Sequence, residues 1–206
     1  MKEYLTVKKI SETEFTEKRS RFIGSVFPVT SKENAEQIIN EMKSKYWDAK
    51  HNVYAYILRE GNAKKFSDDG EPQGTAGMPV LDVIDRQELK DVLVVVTRYF
   101  GGILLGTGGL VHAYSHSASL AIQAAEIINM TPVTECSIEC DYGSYGTIQA
   151  FLNNEECKEI ECVFEDNVKI SFCVKNDMMN VFEKNLIEIS NGKIELNKKS
   201  VKYLPF

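Results

Sequence analysis

Arginine is scarce in this 206-residue chain: five residues, all of them at or before Arg98. Cations are outnumbered overall, 24 Lys and Arg against 30 Asp and Glu, for a net charge of −6. A protein built around phosphate contacts carries excess Lys and Arg, because neutralising phosphates supplies most of its affinity. The global field here repels DNA and RNA, so any such contact needs a local basic patch. Long apolar runs are also missing. The longest purely aliphatic run, Val92–Val96, suits a strand and falls far short of the ~20 residues of a membrane span. The start, Met1-Lys2-Glu3-Tyr4, has no apolar secretory core, and a cytoplasmic, unanchored protein is expected. Cysteine is sparse and odd in number, five residues between Cys136 and Cys173 with no C-x-x-C pair. The pair Cys136 and Cys140 has no second cluster to complete a zinc site, and no metal is expected. Buried free thiols in a reducing compartment are the expectation instead. Disorder is excluded, since 43% of residues are hydrophobic and 26% charged, ordinary values for a globular chain.

What is present is unevenly distributed. Nine of the thirteen glycines fall between Gly61 and Gly109. Residues 1–130 carry 16 basic and 17 acidic groups, and residues 131–206 carry 8 and 13. The composition shift at Thr131-Pro132 predicts two domains, 1–130 and 131–206. In the second, Thr134–Tyr142 reads as a strand and Ser144–Asn153 as a helix through Tyr145, Ile148, Phe151 and Leu152. Cys157–Glu165 and Val168–Lys175 read as a hairpin turned at Glu165-Asp166-Asn167. Met178–Ile189 reads as a helix stopped by Asn191-Gly192, and Lys193–Tyr203 as the last strand. The order βαββαβ predicts a ferredoxin-like sandwich.

The first domain reads as mixed α/β (α+β). Leu5–Ile10, Arg21–Val29 and Val53–Arg59 are predicted strands, and Val92–Tyr99 a central one because it is apolar on both faces. Ser31 is the expected N-cap of a helix bearing Ala35, Ile38, Ile39 and Met42. Leu110–Ile128 is the second predicted helix, with His112 and His116 one turn apart. That pair has no intervening carboxylate of the zincin kind, and no Gly-x-Ser-x-Gly elbow marks a serine hydrolase.

Two segments depart from packing sequence. Phe66–Pro79 holds Asp68, Asp69, Glu71, Thr75 and three glycines, and reads as a long irregular loop. Its carboxylates are of the type that binds Mg²⁺ with phosphate, yet they lack a fixed ligand spacing. The second segment, Thr97–Leu110, runs from an apolar strand into a glycine-rich turn, Gly101, Gly102, Gly106, Gly108 and Gly109, and then a helix. Backbone amides at such a turn can cradle an anion, with Arg98 as a guanidinium fork. It is neither a Walker loop nor a full dinucleotide fingerprint, and tight helix packing explains the glycines equally well. His51 reads either as an ordinary surface histidine or as a base facing these loops.

These blocks resemble the YigZ/IMPACT family. The resemblance is carried by Ser20-Arg21-Phe22, Asp69-Gly70-Glu71-Pro72, Gly74-Thr75-Ala76-Gly77, Val80-Leu81, Ile84, Leu89, Val95-Val96, Arg98-Tyr99-Phe100-Gly101-Gly102 and Gly106, in order over about residues 15–128. It implies a first domain similar to domain IV of elongation factor G and a tail similar to its domain V. Those are ribosome-facing folds. Eukaryotic members regulate translation by competing for a large activator of a stress-responsive kinase, but their N-terminal protein-binding domain is not expected here and that mechanism is not carried over. The implied function is a cytoplasmic, translation-linked binding protein whose Arg98–Gly109 region contacts a ribosomal, RNA or protein partner; a plainer reading makes both loops a protein-docking surface with Tyr99-Phe100 as its aromatic anchor. The alternative is an enzyme on a small phosphorylated or carboxylated ligand, held by the turn and Arg98 while His51 or Glu71 moves a proton. Neither reading calls for a cofactor or a membrane.

Overall fold

The computed structural model describes residues 2–206. The chain divides into two compact units, residues 4–129 and residues 130–206 with Lys2 and Glu3. The first contains β1 (Tyr4–Val7), β2 (Ser11–Glu17), β3 (Ser20–Pro28), α1 (Lys32–Lys45), β4 (His51–Ile57), β5 (Lys64–Ser67), α2 (Gly77–Arg86), β6 (Val92–Tyr99) and α3 (Gly106–Ala125). Its sheet runs β2-β3-β6-β4-β5, with every neighbour antiparallel.

The central strand explains its own composition. Val92, Val94 and Val96 pack into the core beneath α2 and α3, while Leu93 and Val95 pack beneath α1 on the opposite face. A strand covered on both sides loses the polar half of the usual alternation. Ser31 caps α1 as expected, accepting a hydrogen bond from the Asn34 amide at 3.1 Å. The close fit of α3 on β3 depends on Gly24, where an added Cβ would come within 2.7 Å of the Ser117 carbonyl.

Three elements differ from the sequence reading. β2 was not expected, because its alternation of Thr and Glu with only Phe15 as a large apolar residue marks an edge strand. The segment Phe66–Pro79 is not irregular throughout: its start belongs to β5 and its end opens α2. Pro79 sits in the first turn of that helix, where a missing N–H costs nothing. Gly106, Gly108 and Gly109 likewise lie in the first turn of α3, so the turn proper is Gly101–Leu105.

The second unit follows the order read from the sequence. β7 (Ile127–Cys140), α4 (Tyr142–Asn154), β8 (Lys158–Phe164), β9 (Val168–Lys175), α5 (Met179–Ser190) and β10 (Asn197–Pro205) place their strands as β10-β7-β9-β8. Cys136, Ile138, Ile170 and Phe172 face Ile148 and Leu152 of α4 and Phe182 and Leu186 of α5. Asn191 ends α5 in the left-handed conformation, φ 51°. All five cysteines are free, but Cys157 and Cys162 are half-buried where full burial was expected. Burial pushes the Cys136 thiol up to about 11 and the Cys157 thiol up to about 12.

Candidate functional site

His51, Glu71 and Arg98 come together, joined by Tyr114. His51 on β4 and Arg98 on β6 are direct cross-strand partners. Both are in phase with the residues that feed the α2–α3 core, Val53 and Ala55 on one strand and Val94 and Val96 on the other. Glu71 descends from the loop between β5 and α2, and Tyr114 from α3. One carboxylate oxygen, Glu71 Oε1, accepts from Arg98 Nη1 at 2.5 Å and from the Tyr114 hydroxyl at 2.8 Å. His51 Nε2 lies 3.7 Å from the same oxygen. The side chains of Arg98 and Glu71 are only 5% exposed and that of His51 8%. His51 is therefore not a surface histidine: continuing the alternation of β4 back by two residues puts it on the core face.

The guanidinium is held through both of its terminal nitrogens. Its Nη2 donates to Ser20 Oγ at 3.2 Å, an oxygen that also receives the Gly101 amide at 3.3 Å. The rings of Phe22 and Phe100 lie 5.4 and 5.6 Å from its carbon. Its Nε is buried without a hydrogen-bond partner. Burial, then the neighbouring Glu71 charge, pushes the Tyr114 phenol far above its ordinary range, which keeps it a hydrogen-bond donor.

The other two carboxylates of the loop build the loop itself. Asp68 accepts from the amides of Ala76 and Gly77 through one oxygen and of Gly74 through the other, at 2.8–3.1 Å, closing the start of α2. Asp69 accepts from the Asn52 amide and from Lys43 Nζ, both at 2.7 Å. Its backbone carbonyl faces His51 Nδ1 at 2.8 Å, so that nitrogen carries the hydrogen. Gly70, at φ 87°, sits beside the imidazole, where an added Cβ would be 3.5 Å from His51 Nδ1. Thr75 is buried and donates to the Pro72 carbonyl at 2.6 Å. All three carboxylates thus point at protein donors, and among the described residues no group of three or more His, Cys, Asp or Glu is placed to hold a metal ion.

Beside this cluster the surface opens. The turn after β6 can form only because Gly101 lies against the Arg19–Ser20 backbone, where a Cβ would be 2.0 Å from the Arg19 carbonyl. Gly102 and Gly106 take positive φ, and Leu105, at the N-cap of α3, supplies no side-chain cap. Phe100, Ile103 and Leu104 are exposed, Leu104 by 83%. Trp47, in the segment joining α1 to β4, is 82% exposed. Tyr99 is not a free anchor. It is half-buried, donates to Asp48 Oδ1 at 2.7 Å and lies under Arg21. Tyr114 and Trp47 were not singled out from sequence. The helical spacing Leu110, Ala113, Tyr114, Ala118 carried the signal for the first, and its rarity as the single Trp for the second. His112 and His116 are exposed, stack at 6.0 Å, and line a cavity of about 480 Å³ between α2 and α3 with Asp82, Arg86, Ser115 and Ser119.

Comparison with known proteins identifies these blocks. The Impact N-terminal domain profile matches residues 18–122, and a domain of unknown function, DUF1949, matches residues 138–193. The IMPACT family member YvyE of Bacillus subtilis is 36% identical over 202 residues, 98% of this chain and 93% of that protein. The family member YigZ of Escherichia coli is 32% identical over 182 residues, 87% of this chain and 89% of its own length. A crystal structure of a hypothetical protein superposes with a TM-score of 0.62 at 30% identity, covering 97% of this chain and 98% of that one. Rabbit Protein IMPACT is 30% identical over 112 residues, 52% of this chain but 35% of its own length. On the strength of a relative that matches almost end to end, and of the motifs that build the buried cluster, this chain belongs to the IMPACT family.

Proposed function

We propose that this chain is a cytoplasmic, translation-linked binding protein that docks on the ribosome through the Tyr99–Gly109 rim of its first unit. The observation that carries this reading is the contrast at that rim. The ionisable groups are buried and matched to one another, while Phe100, Ile103 and Leu104 beside them stand in solvent. Exposed apolar side chains on a rigid, glycine-shaped turn are what a docking surface presents. The reading also draws on the similarity to ribosome-facing domains of elongation factor G that the family resemblance implies, an argument by analogy of fold.

A small-anion enzyme needs a guanidinium that is open to its ligand. Arg98 is instead engaged by Glu71 and Ser20 and flanked by two rings. The test is co-sedimentation of the purified protein with ribosomes, beside Leu104→Ser. Co-sedimentation that the substitution abolishes supports the reading. A wild-type protein that stays in the supernatant at low salt overturns it.

A further inference from the structure

α2 and α3 both cover the core on one face of the first sheet, and the cavity of about 480 Å³ lies between them. The helical repeat decides its polar lining. Asp82 and Arg86 on α2, then His112 and His116, and Ser115 and Ser119 on α3, are each one turn apart, so both members of every pair reach the cavity. Met78 and Val111 add exposed apolar surface.

We propose that this cavity binds a small phosphorylated sugar. Arg86, the two imidazoles and the two serine hydroxyls donate to the phosphate, and Asp82 accepts from sugar hydroxyls. The inference goes beyond the docking reading and does not rest on it, since no residue of the Tyr99–Gly109 rim lines the cavity.

The first argument is that these groups are uncommitted. The side chains of Asp82, Arg86, His112, Ser115, His116 and Ser119 have no hydrogen-bond or ion-pair partner among the described residues. Asp82 and Arg86 stand at a spacing where opposite charges commonly pair, and they do not pair. Asp85, the other carboxylate beside Arg86, is taken by Lys64 Nζ at 2.6 Å. The imidazoles stack with ring centres 6.0 Å apart, and His116 makes a T-shaped contact with Phe15.

An unpaired cation is not enough by itself. Lys193 also lacks an ion pair among the described residues, and it lines a cavity of about 410 Å³ in the second unit. There, however, Asp141 already accepts from the Ser144 amide and Glu139 from Asn167. That cavity has neither an imidazole nor a guanidinium in its lining.

The second argument is the mixture of groups. A bare anion matches Arg86 and the N–H and O–H donors, but Asp82 repels it. A divalent metal matches the imidazoles, but Arg86 repels it, and no third His, Cys, Asp or Glu converges with them. A phosphorylated sugar uses every group. Its phosphate suits the guanidinium fork and the neutral donors, and its hydroxyls suit a carboxylate acceptor. Its carbon skeleton lies against Met78 and Val111. The volume falls within the ~300–1,000 Å³ of small-molecule sites.

The test is calorimetric titration of the full chain with ribose 5-phosphate, glucose 6-phosphate, glucose, inorganic phosphate and Zn²⁺. Tighter binding of a sugar phosphate than of inorganic phosphate or glucose is expected. Arg86→Gln should weaken it about ten-fold or more, as loss of one charge-assisted contact does. Asp82→Asn should narrow the gap between sugar phosphate and inorganic phosphate. Lys193→Gln should leave both affinities unchanged. Asp82 and Arg86 are exposed, so the urea midpoint of each variant should match the wild type, which separates lost binding from lost folding. No binding of either sugar phosphate at millimolar concentration overturns the site. So does an affinity that Arg86→Gln leaves unmoved, or heat with Zn²⁺ alone. Leu104→Ser should bind the sugar phosphate as the wild type does, whether or not the protein co-sediments with ribosomes. Loss of sugar-phosphate binding in that variant would overturn a site separate from the rim.

Discussion

The buried cluster around Arg98 and the exposed rim around Leu104 occupy the same end of one sheet and treat polarity in opposite ways. In the cluster, a guanidinium, a carboxylate, a phenol and an imidazole converge within hydrogen-bonding range or just beyond it, almost wholly out of water. Such a gathering has the composition of an active site. Its donors, however, are directed at Glu71, and the loop that carries Glu71 is fastened by Asp68 and Asp69. The rim reverses this, with Phe100, Ile103 and Leu104 exposed to solvent. The difference teaches that convergence of reactive side chains is weak evidence for chemistry when the carboxylate at its centre is already engaged from within the chain. The cluster is read here as the framework that makes the rim rigid.

That comparison breaks most readily at the ion pair. Removing one member of a buried pair leaves the other uncompensated, which costs about 3–5 kcal/mol. Glu71→Ala and Arg98→Ala should each lower the stability of the first unit by that amount in urea denaturation. The double variant should cost less than the sum of the two. Additive losses would mean that the two groups do not act together. Glycine gives the next largest effect. Gly101→Ala places a methyl group against the Arg19 carbonyl, and overpacking of that kind costs about 1–3 kcal/mol. Gly108→Ala, in the open first turn of α3 with nothing within 4 Å, should instead stabilise by about 0.5–1 kcal/mol. Equal effects from the two would show that the turn is not set by Gly101.

Much of this architecture was legible in the residues, and the gaps have physical causes. Val92–Tyr99 declared itself as a central strand because burial on both faces leaves an unbroken apolar run. The tail was legible element by element because each helix and strand there buries one clean face. β2 escaped because an edge strand buries little, and α2 because its first turn carries Gly and Pro, residues that ordinarily punctuate loops. Arg98 and Glu71 were singled out, yet their pairing was not readable, since 27 residues and a helix-opening loop separate them. Tyr114 looked like helix packing and is so on one side, with only its hydroxyl reaching Glu71. Nothing in the sequence pattern gives the packing of Gly101 on the Arg19–Ser20 backbone, because it depends on strand order.

Titration sharpens the comparison from the buried side. The Tyr114 phenol, raised by burial and by Glu71, stays protonated in the folded chain. Unfolded, it ionises near its ordinary value of about 10. Its contribution is fully present below pH 10 and is lost above it, because the unfolded state then releases a proton that the folded state retains. The slope should approach 1.4 kcal/mol per pH unit above 10. Stability measured from pH 8 to 11.5 should show this fall in the wild type and a shallower one in Tyr114→Phe. An unchanged slope in the variant would place Tyr114 outside the alkaline transition.

The rim should give the smallest effect on stability, and that smallness is its most informative property. Trp47 and Leu104 have more than four-fifths of their surface in water. Truncating them removes almost no buried area, so Trp47→Ala and Leu104→Ala should each change folding stability by no more than about 0.5 kcal/mol. A side chain that contributes little to folding, yet places a large apolar surface in solvent, is of the kind that a docking partner covers. If either variant instead lost 2 kcal/mol or more in urea denaturation, the rim would be part of the packing. The two regions would then be one structural unit, and the division between an inward-facing cluster and an outward-facing surface would fail.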